Sequence, residues 1–168
     1  MFFKVILSIV IIRTSIVPAA ACEGLADTAD AFRLTTRKPV LADTVRLVRS
    51  FGLVHNLFDV MTLHGGIDWA AAAGTPVVAA AAGRVASTHA KFTFGESVIL
   101  LDHGSGWQTL YGGILDLAVR EGDCVNAGMI IGKIGAPKEL GGPVLHFELR
   151  RDGAPVDPMG SSSVTEPR

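Results

Sequence analysis

Between His64 and Val85 the chain reads HGGIDWAAAAGTPVVAAAAGRV, and this stretch limits the fold more than any other. Ala70–Ala73 and Ala79–Ala82 have the composition of a helix. Gly74-Thr75-Pro76 and Gly83 cut the stretch into runs too short to pass the costly first turn of one. Two short strands around a turn, Pro76–Ala81 and Arg84–Ser87, are the expectation. Nineteen glycines and eight prolines carry the same punctuation along the chain. Ser97–Asp102 reads as an apolar strand stopped by His103-Gly104-Ser105-Gly106, with Trp107–Tyr111 running on after it. Val119–Gly128 has the Gly-Asp turn and flanking valines of a tight β connection, and Met129–Ile134 follows as a strand. Leu145, Phe147 and Leu149 alternate with His146, Glu148 and Arg150, so one face of this strand is apolar and the other polar. Asp152-Gly153 closes it as a hairpin. Val45–Phe51 suits an entry strand, and the spacing of Leu41, Val45 and Val48 suits a helix nearly as well. The reading is one all-β antiparallel domain without internal repeats.

Composition excludes some functions. With 49% hydrophobic and 18% charged residues among 168, most of the chain buries enough apolar surface to fold. Fifteen basic against sixteen acidic residues leave no basic stripe, so no nucleic-acid partner is expected. Residues 1–21 carry an early Lys4, the apolar run Val5–Ile12 and a small-residue ending at Ala19-Ala20-Ala21. That is the layout of a signal peptide, so export to a periplasm or the cell envelope of a bacterium is expected. A buried first strand or helix is the competing interpretation. Residues 22–44 then form an N-terminal arm, 45–158 the domain, and 159–168 a disordered tail. Cys22, directly after the small residues, is a candidate for lipidation, which would place the chain on a membrane; Ala19 stands where Leu or Val would be expected. Otherwise Cys22 is free to pair with Cys124, and the sequence leaves that choice open.

His64, Asp68 and His146 form the candidate metal site. Two imidazoles and a carboxylate supply three of the four positions of a zinc site with one left open. His-x-x-x-Asp alone is a common spacing, and a surface histidine beside an unrelated aspartate explains it equally well. Gly65-Gly66 makes the segment a bend rather than a helix.

Four blocks occur in order: HGGIDWAAAAGTPVVAAAAGRV, VILLDHGSGWQTLYGG, VREGDCVNAGMIIGKIG and GGPVLHFELRRDGAPVDP. Together they closely resemble the core of lysostaphin-like (LytM-type) zinc metallopeptidases over roughly residues 51–158. The resemblance implies an antiparallel β-sandwich of the lysostaphin type (the duplicated hybrid motif), one zinc ion on His64, Asp68 and His146, and peptidoglycan peptide as substrate. It also carries two departures. The family's Tyr-x-His block, whose last residue is a catalytic histidine, reads Tyr111-Gly112-Gly113 here, and its His-x-His block, which begins with a second, reads Val144-Leu145-His146. The metal site is expected to be whole and the acid–base machinery absent, so the family's zinc endopeptidase chemistry is expected to be weak or missing. Tyr111 and Glu148 are at most weak substitutes, and His55, His89 and His103 read as loop histidines. Two functions follow from the resemblance. One is a peptidoglycan endopeptidase with a rearranged site. The other, favoured, is a binding or regulatory module, similar to the degenerate relatives that activate a cell-wall amidase. VREGDCVNAGMIIGKIG also looks like the hairpin of biotinyl and lipoyl carriers, but Lys133 falls within a strand and not at a tip.

Overall fold

A computed structural model describes residue 22 and residues 38–55, 58–90, 97–136 and 142–160. The expected signal peptide, most of the arm (23–37) and residues 161–168 of the tail lie outside these. The described residues form twelve strands and no α-helix: β1 (Arg46–Arg49), β2 (Gly52–His55), β3 (Met61–His64), β4 (Ile67–Ala70), β5 (Pro76–Val78), β6 (Gly83–Ala90), β7 (Ser97–Asp102), β8 (Trp107–Leu115), β9 (Cys124–Val125), β10 (Ile130–Ile134), β11 (Val144–Arg151) and β12 (Ala154–Val156). All strand pairs are antiparallel. The large sheet runs β1-β4-β11-β8-β7-β6-β9, with β10 joining β5 to β8 and β12 on β11, while β2 and β3 form a separate ribbon. Val45–Phe51 therefore contains a strand, not a helix.

The alternation read in β11 sets the core. Leu145, Phe147 and Leu149 are fully buried, together with Ile99 and Leu101 from β7 and Tyr111 from β8. The first alanine-rich strand is shorter than expected. β5 stops at Val78 because the next residues bond outside its ladder: the Ala79 amide donates to the Met129 carbonyl, and the Ala79 carbonyl accepts from Gly128. Ala79 and Ala80 are completely buried, so alanine serves here as a small residue in a tight crossing rather than as a helix former. Ordered contacts also reach back before residue 45, since Val40 bridges Val77 and is buried in the core.

A disulfide joins Cys22 to Cys124, 102 residues apart in sequence. A lipid thioether would need the same Cys22 sulfur, so the bridged protein carries no lipid there. At the opposite margin of the sheet a cross-strand row forms. Arg49 of β1 lies opposite Asp68 of β4, Asp68 opposite His146 of β11, and His146 opposite Gly112 of β8. Residues so paired present their side chains to one face. Candidate function is concentrated on this row.

Candidate metal centre

His64 ends β3, Gly65-Gly66 turns the chain, and Asp68 follows on β4. The turn needs glycine for a local reason: a Cβ on Gly66 would press on the Phe147 carbonyl oxygen and come within 2.9 Å of Glu148 Cγ. Gly66 thus lets β4 close onto β11 and brings Asp68 to His146. The expected triad is assembled, with one ligating atom from each of His64, Asp68 and His146 lying within 4.8 Å of the others. Asp68 Oδ1 is its hub, 3.2 Å from His64 Nε2 and 2.7 Å from His146 Nδ1. All three residues are largely buried.

Neighbouring groups orient these ligands. His64 Nδ1 donates to the Ser50 carbonyl at 2.8 Å, and because a carbonyl only accepts, the hydrogen is on Nδ1 and Nε2 is turned toward Asp68. His146 Nε2 faces Glu148 Oε1 at 3.0 Å, and Glu148 Oε2 accepts from Arg150 Nε at 2.6 Å. Burial alone would lower the His146 pKa. Hydrogen bonds to Asp68 and Glu148, reinforced by the two charges, outweigh it and raise the value from 6.5 to about 9. Without metal, His146 is therefore an imidazolium between two carboxylates, its positive charge offsetting theirs. Burial raises the Glu148 pKa, but His146 and Arg150 more than reverse this and hold the group below its ordinary value. Two imidazoles and a carboxylate that converge, with the outer nitrogens tied to a carbonyl and a carboxylate, are a donor set that suits zinc.

Glu148 and Arg49 complete the centre, and the sequence signalled only the first, through its alternation with His146. The Arg49 guanidinium approaches Asp68 at 3.6 Å on Oδ2, the carboxylate oxygen that the histidines do not face. A register shift between Leu47 and Arg49 turns that side chain toward Asp68, as bulges near functional sites do.

Neither departure position supplies an imidazole. Val144 lies on the face of His146, one row away and opposite Ala70. Gly113 lies in a bulge of β8, where the two-residue step of β7 from Ser97 to Ile99 opposes the three-residue step from Tyr111 to Ile114. Its φ of 79° is in the left-handed region that favours glycine. The chain's five histidines can all be placed. His103 is buried, with Nδ1 2.7 Å from the Ala82 carbonyl and Nε2 2.7 Å from the Thr109 hydroxyl. His89 is exposed on β6 beside Ser87. His55 ends β2 and is bonded to Asp59 at 2.6 Å, so it lies on a strand and not in a loop. Tyr111 faces the core, where its hydroxyl accepts from the Ala80 amide and lies 3.0 Å from that of Thr109, so it cannot serve the metal face.

Known proteins resemble this chain over the same region. The family model described as Peptidase family M23 matches residues 62–158. The chain is 37% identical over 115 residues, 68% of its own length, to the DD-carboxypeptidase/endopeptidase Mpg of Neisseria meningitidis serogroup B, covering 26% of that protein. It is 33% identical over 96 residues, 57% of its length, to the peptidoglycan DD-endopeptidase ShyB of Vibrio cholerae, covering 22% of it. The chain thus spans about a quarter of the length of these curated relatives. Among solved structures, a zinc-containing peptidase from Vibrio cholerae superposes with a TM-score of 0.67 at 27% identity, over 79% of this chain and 40% of that one. Since the matched segment runs from the strand bearing His64 to the hairpin after His146 and takes in more than half of the residues, the chain belongs to peptidase family M23.

Proposed function

We propose that this chain is an exported cell-envelope domain that holds one zinc ion on His64, Asp68 and His146 and binds peptidoglycan peptide with little or no hydrolysis. The observation that carries the proposal is the contrast within one face of the sheet. Three ligand atoms converge within 4.8 Å, while Val144 and the bulged Gly113 offer no imidazole beside them.

Zinc, when bound, supplies Lewis acidity toward a peptide carbonyl. The remaining steps of hydrolysis belong to the protein, which must take a proton from the attacking water, give one to the leaving amine and hold the oxyanion. Glu148 is engaged by His146 and Arg150, and Tyr111 and His103 are buried in the core. Proton transfer by a positioned side chain contributes about 10²–10⁴-fold and an oxyanion donor about 10²–10³-fold. Such losses do not add simply, yet lacking both leaves little rate. Export is supported by the signal-like residues 1–21 and by the Cys22–Cys124 disulfide, a bond favoured in oxidising compartments.

A second reading, an active endopeptidase with a rearranged site, is favoured by one observation. His55, paired with Asp59, lines the same pocket as His64. One experiment separates the two. The purified mature chain is assayed for metal content, incubated with peptidoglycan sacculi, and followed for sedimentation with the sacculi and for muropeptide release. About one zinc per chain with bound but undigested sacculi is expected. Released muropeptides would establish the second reading, and a zinc-free, non-sedimenting chain would overturn both.

A further inference from the structure

One buried histidine lies outside the metal centre. His103 is 7% exposed, and Ala80, Thr109 and Tyr111 near it are fully buried. Backbone closes over its ring, because a Cβ on Gly83 would stand 2.7 Å from Nδ1. The polar groups here form a directed chain. Nδ1 donates to the Ala82 carbonyl at 2.7 Å, so in the neutral ring Nε2 is an acceptor. Its donor is the Thr109 hydroxyl, 2.7 Å away. Thr109 has a single hydrogen and uses it there, so across the 3.0 Å between the two hydroxyls Tyr111 donates and Thr109 accepts. Tyr111 in turn accepts the Ala80 amide at 2.8 Å. The chain starts at Ala80 and ends at Ala82, and so ties both sides of the alanine crossing after β5 to β8.

Each hydrogen in this chain has an acceptor only while His103 is neutral. A second ring hydrogen, on Nε2, makes Thr109 the acceptor and turns its hydroxyl toward Tyr111. Tyr111 then accepts from both Thr109 and Ala80, and its own hydrogen is left inside the core facing two donors. A buried donor without an acceptor is costly. Burial holds the His103 pKa below its ordinary 6.5, against the Ala82 bond and the Asp102 charge. Asp102 lies opposite Arg84 of β6, whose guanidinium reaches the Gly122 carbonyl, and the crossing itself holds only alanines and Gly83. On β8, burial pushes the Tyr111 hydroxyl up to about 12 against its bonds to Ala80 and Thr109, so it keeps its hydrogen.

We propose that His103 triggers an acid-sensitive latch: its protonation breaks the chain and releases the Ala79–Ala82 crossing together with the turn between β9 and β10. The turn follows because the Ala79 amide and carbonyl hold Met129 and Gly128. The β4–β11 ladder contains none of these bonds, so the strands bearing Asp68 and His146 stay paired. The latch is independent of what the metal centre binds.

Tyr111 is the single tyrosine, so one ¹³Cζ label reports its hydroxyl. The mature chain, metal-free and zinc-loaded, is titrated by NMR from about pH 7.5 to about pH 4.5, with amide exchange measured at both ends. The Tyr111 and His103 signals are expected to shift together, with one midpoint below pH 6.5. Protection factors of the Ala79, Ala80 and Gly128 amides should fall about tenfold or more, while those of the β4–β11 ladder hold. His103→Gln and Thr109→Val should each make the Tyr111 signal independent of pH, and the parent titration decides alone if neither variant folds. A Tyr111 signal that stays fixed while His103 titrates would overturn the latch, as would one that still moves in folded His103→Gln. Unchanged protection of the crossing, or equal loss in every strand, would overturn it too. So would a His103 that remains neutral until the whole chain unfolds.

Discussion

Zinc and a proton compete for His146, and the size of that competition follows from the geometry. In the metal-free protein Nδ1 and Nε2 face Asp68 and Glu148 at 2.7 and 3.0 Å, and the pKa stands at about 9. A ligating nitrogen must first lose its hydrogen, so zinc binding at neutral pH releases a proton. Apparent zinc affinity should therefore rise about tenfold per pH unit from pH 7 and level off near pH 9, about a hundredfold in all. The stability linkage of the metal-free protein has the opposite sign. His146 is raised above its unfolded value of 6.5, so its contribution is complete below that pH and is lost as pH rises through 9. The melting-temperature gap between zinc-loaded and metal-free protein should accordingly widen from pH 7 to pH 9. Competition titration against a chromophoric chelator measures the affinity, and calorimetry in buffers of different ionisation enthalpy counts the protons. Glu148→Gln removes one of the two carboxylates, so the plateau should begin at lower pH. An affinity that is flat from pH 7 to 9, with no proton released at pH 7, would refute the reasoning.

Gly66→Ala should cost about 1–3 kcal/mol, because the added methyl meets the Phe147 carbonyl, which is fixed in the β11 ladder; urea denaturation checks it. His103 has its pKa lowered by burial, in spite of the Ala82 bond and the Asp102 charge, so its neutral form belongs to the fold. Stability tied to it should be present above pH 6.5 and fall as pH drops below that value, and the slope should be absent in His103→Gln when unfolding is followed at several pH values. Restoring histidine should succeed unequally. Val144→His sits in extended strand and should retain the fold and zinc, whereas Gly113→His meets a φ of 79° and should cost about 1 kcal/mol or more. Thermal melts of the single and double variants, with sacculus digestion, test this.

The triad was legible because two of its parts lie in patterned segments. Gly65-Gly66 announces a bend between His64 and Asp68, and the alternation in 144–151 fixes which face His146 takes. Glu148 belongs to the same alternation, but its tie to His146 and Arg150 depends on rotamers that no pattern encodes. Arg49 was not legible at all, since its position depends on a register shift between β1 and β4. The end of β5 at Val78 is hidden from the sequence for a similar reason. Val78 is followed by four alanines, and only the arrival of Met129 and Gly128 diverts their backbone from the ladder. Gly113 could be read as a missing histidine, but its positive φ emerges only when β7 and β8 are aligned and fall out of step. Local residue chemistry was readable, while the register between strands was not.

The Cys22–Cys124 link makes everything from residue 22 to residue 124 one covalent ring that contains the arm, His64 and Asp68. A protease that cuts once between residues 23 and 37 opens the ring without releasing a piece. The two parts would migrate as one species on a gel until a reductant is added, with Cys22 still held at β9. In a compartment rich in proteases and poor in thiols, such a cut leaves the mass of the molecule almost unchanged, gaining only the water of the broken peptide bond.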